Sequence, residues 1–346
     1  MKASFVYQNS RKALLEGIAR GEEPDSRLDG ALYLGEHGID VDFHDPFLTR
    51  RPLAPPLARI AWSLRELSVP YELGRTDVVF TPLANLLPLA ARGRRLPVVV
   101  VNYGLNLIWR RASGARRRLF RRSLLSAARI VCLGEAQRDE LVTSARLEPE
   151  RVLSMVIPVD DRFFTPAAEP DDGRTVLTVG KDLARDYATF AEAVRPIDAE
   201  ATLVAHPRNV DGVDLPANAV LRSNVSFTHL RELYAQAGCV VLPQRPDDYP
   251  YGSEGGGLTA LLEAMSMGRP VVATERAILR DYVDDGVDAI LVPPEDPEAL
   301  RAGVERVLGD RDLARSLGAA ARARVERAHT SRGFAAKLAP VLRSVV

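Results

Sequence analysis

Short runs of β-branched and other apolar residues recur along this chain, and most are followed by a stretch patterned as helix. In the first half these runs are "ASFVY", "IDVDF", "DVVFT", "PVVVVN", "RIVCLG" and "RVLSMVI". In the second they are "TVLTVG", "ATLVA", "CVVLPQ", "PVVAT" and "AILVP". Strand and helix alternating in this way predict parallel sheets with helices on both faces. The helices expected between them include "DSRLDGALYLGEHG" closing on glycine, a long basic one over about 107–127, and one from Glu135 to about Ala145. Further on come "DYATFAEAV", "LRELYAQA", Leu258 to Met267, two between about 297 and 328, and an amphipathic stretch over 332–345.

The rhythm breaks once. Residues 158–173, "PVDDRFFTPAAEPDDG", carry the prolines, acids and glycine of a linker. A chain of 346 residues suits two domains of about 150 each. The expected division is an N-terminal domain over 1–157, the linker over 158–173, a second domain over 174–330, and a C-terminal helix over 331–346 crossing back onto the first. In such sheets ligands sit beyond the carboxyl ends of the strands, so a cleft between the two domains is the expected site.

The formal net charge is zero, but residues 1–157 hold 24 Lys and Arg against 17 Asp and Glu, and the remainder reverses the balance. Opposed halves imply different partners. No apolar run approaches the roughly 20 residues of a membrane span, and "MKASFVYQ" opens no secretory leader, so a cytosolic protein is expected. Cys132 and Cys239 lie inside apolar runs and read as buried thiols, and no Cys/His cluster has metal-ligand spacing.

The stretch that carries chemistry is "SEGGGLTALLEAMSMGRPVVAT", residues 253–274. Its helix, Leu258 to Met267, is apolar on nearly every face, yet it holds the carboxylate of Glu263. Buried there, Glu263 needs a partner. A salt bridge to Arg269 and a ligand hydroxyl both satisfy the requirement. Gly255, Gly256 and Gly257 let a ligand approach the backbone, and they lead into a helix N-terminus suited to phosphate.

This stretch resembles the donor-site signature of family 4 of the retaining, GT-B-fold glycosyltransferases. The likeness extends through "TVLTVGKDLARDYATFAEAV", "NVSFTHLRELYAQAGCVVLPQ" and "VDDRFFTP". It covers about 150–330 well and 1–150 weakly. The resemblance implies an α/β GT-B fold, two doubly wound Rossmann-like domains facing a central cleft. It implies retaining transfer of a hexose-type sugar from a nucleotide-sugar donor to an acceptor hydroxyl, without a metal or other cofactor. Glu263 matches the residue that binds the donor ribose, and Lys181 and Arg185 match cations beside the diphosphate, after Gly180. Ser226 matches a base contact through its backbone, and the backbone of Gly255 to Leu258 is placed for the sugar.

Two departures stand out. Eight residues separate Glu254 from Glu263 where the signature has seven, so Glu254 reaches the sugar only if the loop bulges. Where the family often carries a histidine in the first domain, "VVVVNYGLN" offers Asn102, Tyr103 and Asn106, with His44 in "VDFHDPF" as another acceptor-side candidate. His206, ending a second-domain strand, is a candidate base or ribose neighbour. "WRRASGARRRLFRR" holds seven arginines in fourteen residues, Arg110 to Arg122. It reads either as a solvated helix face or as a patch binding an anionic or lipid-linked acceptor at a membrane surface, the inner one for a cytoplasmic protein. Nucleic acid is discounted, since no stacking platform or recognition motif accompanies the arginines. Besides transfer, a non-catalytic scaffold of the same fold and a nucleotide-sugar epimerase are the alternatives; the first fits the two departures, and the second lacks cleft carboxylates.

Overall fold

The computed structural model describes residues 1–44, 65–82, 85–166 and 174–346. Of the expected linker, 167–173 therefore lie outside the described residues. The chain divides into two units, one of residues 1–19, 28–156 and 332–346, the other of 20–27 and 157–331.

The first unit is built on six parallel strands: β1 (Lys2–Val6), β2 (Asp40–His44), β3 (Val78–Pro82), β4 (Val98–Val101), β5 (Arg129–Cys132) and β6 (Val152–Ser154), in the order β2-β1-β3-β4-β5-β6. The order reverses between β1 and β3, so the carboxyl ends of those strands flank the switch point where such folds bind ligands. Phe5 of β1 stacks on Phe80 of β3 with ring centroids 4.3 Å apart. A core of Val79, Val98, Val100, Ile130 and Val152 from the strands meets Leu105, Trp109, Phe120, Leu124 and Leu141 from the helices.

The second unit repeats the scheme with β7 (Thr175–Val179), β8 (Glu200–Val204), β9 (Ala219–Arg222), β10 (Cys239–Leu242), β11 (Val271–Thr274) and β12 (Ile290–Val292). Read from β9, the order is β9-β8-β7-β10-β11-β12, the dinucleotide-fold arrangement, with its switch point between β7 and β10. The four inner strands are largely buried and read as apolar runs, Val271–Thr274 being buried throughout. The two-sheet parallel architecture expected from the sequence is the one found.

Three local expectations give way. The helix expected at 25–38 is two 3-10 segments, Asp25–Leu28 and Ala31–His37, because Gly30 at φ 72° turns the chain into the left-handed region between them. The basic helix is broken into Leu105–Arg111 and Gly114–Leu124, with Ala112 extended and Gly114 at φ 52°. Strand β9 was not anticipated; it is an edge strand of four residues, partly covered or exposed, whose apolar run Ala219–Leu221 is only three residues long.

Candidate functional site

At the switch point of the second unit, β7 ends at Val179 and the chain turns through Gly180 before the helix Tyr187–Val194. Asp186 caps that helix, accepting from the Thr189 backbone N–H at 3.2 Å and its hydroxyl at 2.7 Å. Within the turn, Arg185 folds back beneath the strand end and donates from Nη2 to the Val179 carbonyl. Its guanidinium lies so close to Gly180 that a Cβ there would stand 2.1 Å from Nε. Glycine at 180 is thus required by close approach. The Tyr187 hydroxyl donates to the Gly180 carbonyl at 2.7 Å, which fixes the turn from the other side.

Arg185 is only 6% exposed, yet its Nε and Nη1 are buried without a partner. Burial lowers its pKa, while Tyr187, Tyr234 and Asp182 act in the opposite sense. Buried donors with no acceptor are costly, and the described residues supply none for these two N–H groups. Across the switch point, the Gln244 side chain beyond β10 donates to the Gly256 carbonyl at 2.8 Å and keeps its own Oε1 buried and unpartnered. Asp182 accepts from the backbone N–H groups of Ala184 at 2.8 Å and Ser253 at 3.2 Å, tying the glycine run to the β7 turn.

The glycine run ends in Gly257, at φ 94°, which opens the helix Leu258–Ser266 with no side-chain cap. A Cβ on Gly257 would meet Gln244 Nε2 at 2.4 Å and Arg185 Nη1 at 3.5 Å. The helix N-terminus and the Arg185 guanidinium therefore share one small region, a combination suited to an anion such as a phosphate. Leu258 is fully buried, whereas Glu254, Gly255 and Gly256 are half-buried in the turn before it.

Glu263, 3% exposed, accepts from the Tyr234 hydroxyl at 2.9 Å; its partner is this tyrosine rather than Arg269. Burial pushes its pKa up to about 8, against the pull of the Tyr234 hydrogen bond and the positive charge of Arg185. Arg185 thus acts electrostatically on Glu263. Lys181 is exposed and has no ion partner among the described residues. Ser226 caps the helix Phe227–Gln236, its Oγ accepting from the His229 N–H at 3.2 Å. His206 accepts from the Arg208 N–H at 3.2 Å, closing a turn after β8.

In the first unit, Asn102 and Asn106 are wholly buried and spent internally. Asn102 accepts from the Leu105 N–H at 2.7 Å and donates to Asn106 Oδ1 at 2.7 Å; Asn106 donates to the Gln137 carbonyl and to Glu140. Tyr103 donates to buried Asp29 at 2.6 Å, and Tyr7 does so at 3.0 Å. His44 lies 3.3 Å from Glu72. Sequence reasoning missed Gln244, Tyr234 and Asp182. Gln244 and Asp182 follow strand ends at the switch point, a positional signal that was available; Tyr234 sits in an ordinary amphipathic helix and gives none. Among the described residues, no group of three His, Cys, Asp or Glu is placed to hold a metal ion.

Residues 173–310 match the family of glycosyl transferases group 1. The alpha-D-kanosaminyltransferase of Streptomyces kanamyceticus is 27% identical over 222 residues, 56% of this chain and 54% of that protein. An uncharacterized glycosyltransferase of Methanocaldococcus jannaschii is 36% identical over 81 residues, 23% of this chain and 19% of that one. The chain thus spans about half the length of the first of these relatives and less of the second. Among solved structures, Anabaena HepE in complex with UDP and glucose superposes with a TM-score of 0.71 at 16% identity, over 99% of this chain and 100% of that one. Sucrose-phosphate synthase from Thermosynechococcus elongatus gives 0.74 at 18%, over 100% and 99%. Two Rossmann-like sheets in this succession are the GT-B fold.

Proposed function

We propose that this GT-B chain, whose residues 173–310 are those of a glycosyl transferases group 1 domain, moves a hexose-type sugar from a nucleotide-sugar donor to an acceptor hydroxyl with retention of configuration. The observation that carries the reading is Arg185, a buried guanidinium with two unpartnered donors wedged between Gly180 and Gly257. A nucleoside diphosphate seated there gains the guanidinium, the exposed Lys181 ammonium and the open helix N-terminus. As the anomeric C–O bond to the phosphate breaks, charge gathers on the leaving diphosphate, and these cations act as its electrophilic catalysts. The acceptor oxygen bonds to the anomeric carbon on the same face, and its proton passes to the departing phosphate. Glu263 accepts from the donor ribose, the N–H groups of Gly255 to Leu258 and the carboxylate of Glu254 serve the sugar, and the Ser226 backbone serves the base.

The HepE complex with UDP and glucose supports a uridine-type donor, and the kanosaminyltransferase supports a hexose-type sugar. In this reading residues 174–330 hold the donor, and 1–157 the acceptor, with Tyr103 and His44 as its contacts. Asn102 and Asn106 support that side from within, since their hydrogen bonds are internal. Arg116, Arg118 and Arg122 are exposed, without acid partners among the described residues, beside exposed Leu119, which supports contact with an anionic inner membrane surface for a cytoplasmic enzyme. Arg110, Arg117 and Arg121 are engaged by Glu140, the Trp109 ring and the Ala145 carbonyl, so they take little part.

The test is a thermal-shift and hydrolysis panel with UDP-, GDP-, ADP- and TDP-sugars on wild type, Lys181→Ala and Glu263→Ala. One nucleotide should stabilise the wild type, and both variants should lose most of the shift. If no nucleotide stabilises the wild type, the donor site is not one.

A further inference from the structure

Beyond the carboxyl ends of β7, β8 and β10, three loops enclose a pocket of about 300 Å³, bordered by Leu183, Arg185, Arg208, Arg245, Tyr249 and Tyr251. Its volume is at the small end for a small-molecule site, enough for a single ring and its substituents. Tyr249 and Tyr251 meet edge to face, with centroids 5.7 Å apart and ring planes at 69°. Tyr251 is 55% exposed, so this pair presents an aromatic surface rather than a core.

The three arginines of the pocket are not equivalent. Arg245 is bonded to buried Asp186 at 3.2 Å and to Glu295 at 3.1 Å, so its charge is already answered. Arg208 is exposed and has no acid partner among the described residues. Arg185 is the buried guanidinium whose Nε and Nη1 lack partners. Among the described residues, Asp211 is the one carboxylate lining the pocket, and no ion pair holds it. The named charges therefore nearly cancel, and what favours an anion is the set of N–H donors on Arg208 and Arg185 that no acid among the described residues answers. Arginine grips carboxylate or phosphate through paired N–H groups.

We infer that this pocket is a saccharide subsite for a sugar ring bearing an acidic group, the ring lying on Tyr249 and Tyr251 and the acid on Arg208. Aromatic rings bury the apolar C–H face of a sugar while leaving its hydroxyls wet. Arg185 stands between this subsite and Gly257, so one guanidinium borders both the diphosphate region and the sugar. The inference rests on the donor reading above. The acidic sugar has two sources: the donor's own sugar, as in a nucleotide-activated uronic acid, or an acidic acceptor sugar.

Calorimetric titration decides it, using the nucleoside diphosphate that most raises the melting temperature. The uronate and hexose esters of that nucleotide are compared directly; free D-glucuronate, glucose 6-phosphate and D-glucose are then titrated into protein saturated with the nucleotide itself. An acidic sugar is expected to bind about tenfold tighter than its neutral counterpart. Preference among the nucleotide esters assigns the donor, and preference among the free sugars assigns the acceptor. Arg208→Gln should erase the preference and leave the nucleotide's own thermal shift intact; Tyr251→Ala should weaken acidic and neutral sugars alike. Equal binding of acidic and neutral sugars, or a preference that survives Arg208→Gln, overturns the subsite while nucleotide binding stands. No shift with any nucleotide overturns the donor reading and this inference with it.

Discussion

Single side chains at the β7–β10 switch point should affect stability and, in the proposed reading, nucleotide binding as well. Glu263 is a carboxyl whose folded-state pKa is raised by burial to about 8 from an ordinary value of 4.5. The folded state therefore holds its proton over a range where the unfolded chain has lost it. The stability this proton confers is complete below about pH 4.5 and drains away as pH rises through about 8, by at most several kcal/mol. Glu263→Gln should remove that decline. Urea midpoints for variant and wild type should agree near pH 5 and separate by pH 8.5, with the variant higher; parallel curves would mean that Glu263 titrates normally. Gly180 gives a different prediction. A methyl group at 180 would meet Arg185 Nε at 2.1 Å, and that guanidinium is held by the Val179 carbonyl. Gly180→Ala should cost about 1–3 kcal/mol and abolish the nucleotide-induced thermal shift. Lys181→Ala, at an exposed position without an ion partner among the described residues, should leave stability within about 0.5 kcal/mol while weakening nucleotide binding about tenfold.

Among elements, the helix Tyr187–Val194 joins site to scaffold through its cap. Asp186 is buried, accepts from Thr189 twice, and holds Arg245 at the base of the tyrosine loop. Asp186→Ala should cost about 1–2 kcal/mol by chemical denaturation, in the range of lost N-caps. Asp186→Ser should recover the capping part alone and leave Arg245 without its buried partner. If alanine and serine variants behave alike, the cap contributes little. The same scale explains what was legible in the sequence. The strands beginning at Thr175, Cys239 and Val271 were visible because a buried parallel strand reads as a short apolar run rich in β-branched residues. Glu263 was visible because a charge inside such a helix violates its own surroundings. Strand β9 was not, since an edge strand, partly covered or exposed, needs no more than its three-residue apolar run. The Glu263–Tyr234 and Arg185–Gly180 contacts join residues distant in sequence or turned by the loop, and no local pattern encodes them. Asn102 read as an acceptor contact, yet its side chain caps the start of the next helix, a role that its spacing to Leu105 permits but does not announce.

At the scale of the whole molecule, each sheet has its own hydrophobic core, and the chain's last segment is counted with the first unit rather than with the second, which precedes it in sequence. The helix Ser331–Arg343 buries Phe334, Leu338 and Leu342 almost completely, along with Ala335 and Ala339. Arg332 pairs bidentately with Glu36 at 2.8 and 2.7 Å, within that unit. Burying a large apolar side chain contributes about 1.5–3 kcal/mol, so three together approach the whole stability of an ordinary domain. A chain ending at residue 330 should therefore fail to hold its first unit, binding a hydrophobic dye and losing near-ultraviolet ellipticity from the tyrosines around β1. A milder variant keeps the prediction exposed if the truncated protein aggregates. Leu338→Ala should cost about 2–5 kcal/mol by urea denaturation, and hydrogen exchange should quicken over β1 to β6 more than over β7 to β12. Exchange quickening equally in both sheets, or an unchanged midpoint, would mean that the final helix does not belong to the first unit's core.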